Sequence, residues 1–508
     1  MEFCKIRENG HMIKYRTFGV TFASLCIIGQ AIAQSTAPTP LLRPVRVNTL
    51  FGGGNFYPDA RNTQFQVLQK LGAGQCRLTF DNFYQNGKAT PNMLDDVVWN
   101  SYQHGVIPMI LFEHYVQVHG DFGGKQKWFD IGKAFATRFR PNGEFWKMKG
   151  VAGVGITVYS ACNEPDLQPG LNKAHYVEAL KGLGEGVHSV DKSLQVHPGG
   201  FMSANAHKDW TLDGFAPLLA PLWNQGILDG IDLHTYYDVE YAQMHGMYAS
   251  SAQANFDSIK AHNGITADLK FYTTEFNFKN RLINEDQAAK GLLTGIWDNI
   301  GVVKKDGHTP ATVYAFIWNL FNGTDDSEYG LAMQPGVYPT ARAKVVNQVL
   351  QISKDMVWIS LDPKGTGVYI LGGKGRKLWV WQNLKEWTSR PGIEFVLNAI
   401  PRGTTKVEVI GWNGVRQTLY PNGATTLKVT NLVPEETYMF YATGFTEDLT
   451  SLIQLAPAAR IPRSARSLSI QADNLLRWTI SSDISIDALG RFPQNSLLIK
   501  PNETARLP

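Results

Sequence analysis

The sequence predicts an α/β protein, a (β/α)8 TIM barrel followed by a small antiparallel β-sandwich-like domain. Three observations lead there. Strand-like and helix-like segments alternate every few tens of residues over 45–353, the mark of a parallel sheet with helical crossovers. Two apolar runs rich in β-branched and aromatic residues, 151–165 and 269–277, each deliver a glutamate where strand should give way to loop. From about Val357 the pattern changes to short strands punctuated by Gly, Pro and Asn, as in an antiparallel β-domain.

Taken in order, the first strand is expected at 48–53. A helix over 63–72 leads to a strand at 75–80, a helix over 93–104 to a strand at 106–114, and a helix over 128–140 to the run ending at Glu164. The second half repeats the pattern: helix 172–190 precedes strand 194–200, helix 209–225 precedes 230–237, and helix 252–262 precedes the run carrying Glu275. Helix 286–303 precedes strand 312–319, and helix 340–353 closes the series. Glu164 therefore ends the fourth strand and Glu275 the seventh. Active sites of such barrels lie at the C-terminal ends of the strands, so both carboxylates converge on one cleft.

The accessory β-domain is assigned to 354–445, with strands at 368–371, 378–381, 393–397, 407–410, 426–429 and 438–441. Its Trp379, Trp381 and Trp387 read as core or as platforms for a sugar ring, whose apolar face stacks well on an indole. The tail, 446–508, has two weak strand-like runs among Ser, Arg and Pro and no functional reading.

Composition narrows the class. A formal net charge of +4 over 508 residues is too small to argue for nucleic acid. Residues 1–33 read as a cleaved signal peptide: Lys14 and Arg16 precede a short apolar run, then Ala31-Ile32-Ala33 supplies a small-x-small cleavage site. The run is too short to span a membrane, so the mature chain is expected to be secreted or periplasmic, joined to its barrel by a Pro-rich linker at 34–44. Cys4 and Cys26 leave with that segment. Cys76 and Cys162 remain, and two cysteines inside predicted strands read as small buried side chains. The histidines lack metal-ligand spacing, so no metal or cofactor is expected.

Asn163-Glu164-Pro165 at the end of strand four, paired with Thr274-Glu275-Phe276 at the end of strand seven, resembles the acid/base and nucleophile motifs of the (β/α)8 retaining glycoside hydrolases of clan A, which include glycoside hydrolase family 39. The resemblance covers the barrel. It implies a secreted retaining β-glycosidase acting on a polysaccharide or oligosaccharide, with Glu275 as nucleophile and Glu164 as acid and then base. Two carboxylates at close range, partly buried, are expected to part in protonation, one held ionised by hydrogen bonds and a cation.

By position the resemblance gives Arg77 the task of holding Glu275 ionised, Tyr236 a hydrogen bond to Glu275, Asn163 a bond to the sugar 2-hydroxyl, and Trp318 the platform under the sugar. His234 matches the clan's histidine, and Glu113 and His114 at the end of strand three are candidates for sugar hydroxyls. Each also has a structural reading: a barrel salt bridge for Arg77, a core histidine for His234, packing for Trp318, a surface acid for Glu113. Among substrates, a bacterial exopolysaccharide is one expectation. The rival from another class is an inactive carbohydrate-binding or matrix protein on a barrel scaffold, which paired carboxylates argue against. Composition leaves the oligomeric state open.

Overall fold

The computed structural model describes residues 50–450, except 54, 57–61, 114–121, 169, 203–211, 238–250, 263, 279–283, 307–308, 319, 321–329, 334–337, 363–367 and 384–391, together with 469–473 and 477–481. The expected signal peptide, the linker, His114 and Trp387 lie outside the described residues.

Eight parallel strand positions close into a barrel. Asn55–Phe56 pairs with Gln75–Phe80, which pairs with Ile107–Phe112, Val158–Ala161 and Gln195–Pro198 in turn. Leu50–Gly53 pairs on its other side with Thr312–Ile317, which is followed by Lys270–Phe278 and Gly230–Tyr237. A bridge from Phe201 to Leu233 joins the two arcs. The strand count agrees with the sequence reading. Alternation sorts the side chains: Cys76, Leu78 and Phe80 pack in the helix-facing core, whereas Arg77, between them, points inward. Met109, Val158, Tyr272, Tyr314 and Phe316 fill the barrel interior as a separate cluster.

Helices cover the outside because their starts are specified locally. Asn172 caps Lys173–Val190, Thr340 caps Ala341–Ile352, and Asn284 with Gln287 makes a capping box for Glu285–Ile300. Cys76 and Cys162 are free and buried, as expected.

Two expected strands need correction. The fourth is only Val158–Ala161, preceded by a short helix, Glu144–Met148. Residues 151–157 alternate apolar side chains with glycine, but the glycines serve a turn and a close approach: Gly153 sits at φ 73° and donates its N–H to Asn142 Oδ1, and a Cβ on Gly155 would fall 2.1 Å from Pro141 N. The seventh runs Lys270–Phe278, so Glu275 lies within the strand rather than at its end.

Beyond the barrel, Val357–Asp362, Val368–Asn383, Glu436–Asp448, Lys406–Gly411 and Gly414–Leu419 form a five-stranded antiparallel sheet in that spatial order. The runs expected at 368–371 and 378–381 are one strand, and 357–362 and 414–419 are additional strands. A two-stranded sheet, Phe395–Leu397 with Leu427–Val429, lies on one face, where Phe395 stacks between Trp381 and Phe440. The opposite face joins the barrel core through Leu378, Val380 and Met439. Trp379 and Trp381 are 3% and 5% exposed, so they are core and not sugar platforms. The tail contains a hairpin, Ser469–Asp473 with Arg477–Ser481.

Candidate active site

The site is built where strands two, four, six and seven deliver polar side chains to one end of the barrel. Alternation along Gly230–Tyr237 sends Asp232, His234 and Tyr236 inward at successive levels, while Leu233 packs in the helix-facing core and Thr235 bonds Asn299 of the covering helix.

Strand seven breaks its own alternation. Tyr272 pairs with Asp232 and Glu275 with His234, so three steps on one strand match two on its neighbour, a bulge. Its result is that Thr274 and Glu275, adjacent in the chain, both face the site, while Thr273 faces away to Thr235.

Glu164 reaches the site by a different route. It lies three residues past strand four in the left-handed region (φ 46°, ψ 58°), as does Cys162 (φ 62°), and Pro165 begins a short 3-10 turn. A left-handed residue ahead of proline is an uncommon conformation, held here by the Glu164 N–H, which donates to Gly200 O at 3.0 Å. Its side chain is 23% exposed, against 6% for Glu275.

Around these carboxylates the hydrogen bonds are dense. Arg77, 1% exposed, forms a salt bridge to Glu275 Oε1 through Nη2, and its Nη1 donates to Thr274 Oγ1 (3.0 Å) and Asn163 Oδ1 (3.3 Å). Tyr236 donates its hydroxyl to Glu275 Oε2 at 2.6 Å. His234 Nδ1 stands 2.9 Å from Glu164 Oε1 and 3.6 Å from Glu275 Oε2. Glu113, 3% exposed, accepts the Asn163 N–H at 3.4 Å. Trp318 follows strand eight, half-buried, its N–H bonded to Phe276 O.

Burial alone would raise the Glu275 carboxyl, but His234, Arg77 and the Tyr236 hydroxyl together hold it below the usual carboxylate range. Burial likewise disfavours charge on His234, yet Glu275 and Glu164 outweigh it and push the imidazole up. Glu275 is thus a buried, ionised carboxylate with a cation on one oxygen and a hydroxyl on the other.

The described site residues Arg77, Glu113, Asn163, Glu164, His234, Tyr236 and Glu275 all belong to this one network. Thr274, Asp232 and Gly200 also belong to it, without having been singled out from the sequence. Asp232 had a readable signal, since it shares the inward register of His234 and Tyr236. Gly200 is fixed by space: a Cβ there would lie 2.0 Å from His234 Nε2.

Glu164, His234 and Glu275 each offer one ligand atom within 4.8 Å of the others, a spacing a metal ion could use. Arg77 on one Glu275 oxygen and Tyr236 on the other supply the charge and protons that such an ion would otherwise provide. The donor set suits acid–base work on an organic substrate better than a divalent cation.

Solved structures share this architecture. A family 39 glycoside hydrolase from Bacteroides cellulosilyticus matches with TM-score 0.50 at 14% identity, over 80% of this chain and 82% of the other. A glucosidase from Croceicoccus marinus matches with TM-score 0.52 at 12% identity, over 80% and 98% respectively. The fold is that of the clan A glycoside hydrolases. The sequence itself matches no family model and no curated protein. The network lies toward the C-terminal ends of the barrel strands, where strands four and seven bring Glu164 and Glu275 together.

Proposed function

We propose that this chain is a secreted retaining β-glycosidase that hydrolyses a polysaccharide or oligosaccharide by double displacement. One observation carries the reading: a Glu164 oxygen and a Glu275 oxygen lie within 4.8 Å of each other. Retaining enzymes hold their carboxyl groups about 5–5.5 Å apart, whereas inverting enzymes need roughly 6.5–9.5 Å to admit a water.

In this reading Glu275 attacks the anomeric carbon while Glu164 gives its proton to the departing oxygen, and the glycosidic C–O bond breaks. A glycosyl ester on Glu275 results. Glu164, now a carboxylate, takes a proton from water, whose oxygen attacks the same carbon and expels Glu275. The two environments suit the two roles: Glu275 is buried and held ionised, and Glu164 is the more exposed, facing the leaving group and water.

The remaining residues take supporting roles. Asn163, whose Oδ1 accepts from Arg77, has its amide N–H2 directed to a sugar hydroxyl, the 2-hydroxyl by preference. Trp318 stacks on the sugar face, and Glu113 and His114 bind further hydroxyls. Secretion and an exopolysaccharide substrate belong to the same proposal, supported by the signal-peptide pattern at 1–33.

The test is a panel of fluorogenic β-glycosides and polysaccharides with wild type, Glu164→Gln and Glu275→Gln. Hydrolysis by wild type with the β-anomer formed first, read by proton NMR, is the expected result. An α-anomer formed first sinks the retaining mechanism, and undiminished turnover in both variants sinks the site. Binding without hydrolysis by wild type favours the inactive binding protein instead.

A further inference from the structure

Strand seven falls out of step with both of its neighbours at one point. Against strand six the register slips between Tyr272 and Glu275, and against strand eight between Thr273 and Phe276. Thr274 is consequently the one residue of Lys270–Phe278 paired in neither ladder. It is 2% exposed, so its N–H needs a partner other than a paired strand. Asp232 of strand six is that partner. Its Oδ1 accepts the Thr274 N–H at 3.0 Å, and the Thr274 hydroxyl lies 3.1 and 2.9 Å from its two carboxylate oxygens.

Asp232 is itself fully buried and takes no part in the reaction above. Thr273, the other residue within the bulge, has its hydroxyl 3.1 Å from Glu275 O. That bond stays inside strand seven and moves with it, whereas the Asp232 contacts tie the bulge to the register of strand six. The tie matters because side chains alternate along a strand. If strand seven straightened by one residue, Thr274 would enter the ladder and Glu275 would turn to the helix-facing side. It would then leave Arg77 Nη2 and the Tyr236 hydroxyl, which hold its two oxygens.

We propose that Asp232 is a positioning residue for Glu275: by accepting the Thr274 N–H it pins the bulge of strand seven, and the pinned bulge aims the Glu275 carboxylate into the site. Asp232 acts on the backbone one residue before Glu275 and needs no contact with the substrate. The meaning for catalysis rests on Glu275 being the nucleophile of the proposed glycosidase; the pinned register does not.

Carbon-13 NMR of the full chain labelled at the glutamate carboxyl carbon reads Glu275 without any substrate, its signal assigned by its loss in Glu275→Gln. The groups facing Glu275 are Arg77 from strand two, Glu164 past strand four, and His234 and Tyr236 from strand six. Asp232→Asn and Asp232→Ala remove the same charge, but only the amide keeps an oxygen for the Thr274 N–H and hydroxyl, both within reach of Oδ1. A difference between these two variants therefore reports position and not field. Glu275 is expected to titrate below the ordinary carboxylate range in wild type and in Asp232→Asn, and higher in Asp232→Ala, where it leaves Arg77 and Tyr236. With an aryl glycoside that wild type cleaves, kcat of Asp232→Ala is expected about 10²-fold below that of Asp232→Asn, with the two KM values much closer together. Where Asp232→Ala does not fold, Asp232→Glu takes its place: it keeps the charge, and its extra methylene pushes the bulge off position, raising Glu275 and lowering kcat. Glu275 titrations or kcat values that agree between Asp232→Asn and Asp232→Ala overturn the proposal, as does wild-type behaviour of Asp232→Glu. The expected titrations in a chain that hydrolyses no glycoside overturn the glycosidase reading and leave the pinned register standing.

Discussion

Thr274 and Glu275 are consecutive residues whose side chains both face the barrel interior. In a regular strand they would point to opposite faces. The bulge between Tyr272 and Glu275 inserts the residue that lets one strand supply both the carboxylate bound by Arg77 and the hydroxyl bound by His234, Arg77 and Asp232. Two of the site's neighbouring functions thus depend on one irregularity of register.

The proposed roles of the two glutamates, Glu275 as nucleophile and Glu164 as acid, separate by chemical rescue. In Glu275→Ala azide can only attack the substrate itself, from the face opposite the leaving group, giving the α-glycosyl azide. In Glu164→Ala with an activated aryl glycoside, azide attacks the ester on Glu275 and gives the β-glycosyl azide. Without azide, loss of the acid is expected to slow unactivated substrates about 10²–10⁴-fold. Product NMR decides, and exchanged products would exchange the assignments.

Arg77→Met should act on pH dependence as well as stability. Glu275 is depressed in the folded state, so its contribution to stability is full above its unfolded value and is lost as pH falls through the folded one. Without Arg77 the carboxylate is buried beside one fewer cation, and its folded value rises. The acidic limb of kcat/KM therefore moves to higher pH. Removing one partner of a buried pair costs roughly 3–5 kcal/mol at neutral pH. That loss should shrink on acidification as Glu275 takes up a proton, which urea melts from neutral to acidic pH would record; a constant loss would contradict the linkage.

Much of this was legible because eight strands and their helices follow separate periods, and because Glu164 and Glu275 sit beside recognisable neighbours. What was not legible has physical causes. An extra residue in a strand leaves no mark in a sequence of uniformly β-forming side chains such as Phe271-Tyr272-Thr273-Thr274, so the site-facing role of Thr274 was hidden. Val151 to Ile156 alternates like a strand, yet its glycines serve contact with Pro141 and Asn142. Trp379 and Trp381 lie on a strand buried on both faces, with Leu378 and Val380 turned to the barrel, and such a strand shows no inside–outside period.

Gly200→Ala tests how tightly the ring of His234 is held. The added methyl would lie 2.0 Å from His234 Nε2 and 2.9 Å from Thr274 Oγ1, so the imidazole must shift. A displacement of about 1 Å at a catalytic constellation lowers kcat on the order of 10²-fold, while overpacking costs about 1–3 kcal/mol of stability. The variant is expected to fold, melt somewhat earlier, and turn over about a hundredfold more slowly. Wild-type kcat in this variant would show that His234 has room the structure denies it.

The barrel and the β-domain should unfold together. Trp297 of the helix Glu285–Ile300 packs against Trp358 and Tyr369 of the sheet, ring centroids 6.3 and 6.4 Å away, and the two regions share one continuous apolar core. Polar contacts cross at the same place: Thr294 Oγ1 lies 2.8 Å from Thr437 Oγ1, and Gln382 Nε2 donates to Thr294 O at 3.2 Å. Separating the sheet would expose this apolar surface to water, so neither part should persist alone. Calorimetry of the full chain is expected to give a single transition. Thr437→Val leaves the Thr294 hydroxyl without its cross-boundary partner and should lower stability by about 1–3 kcal/mol while keeping one transition. Two resolved transitions in wild type would mean that the tryptophan cluster does not couple the two regions.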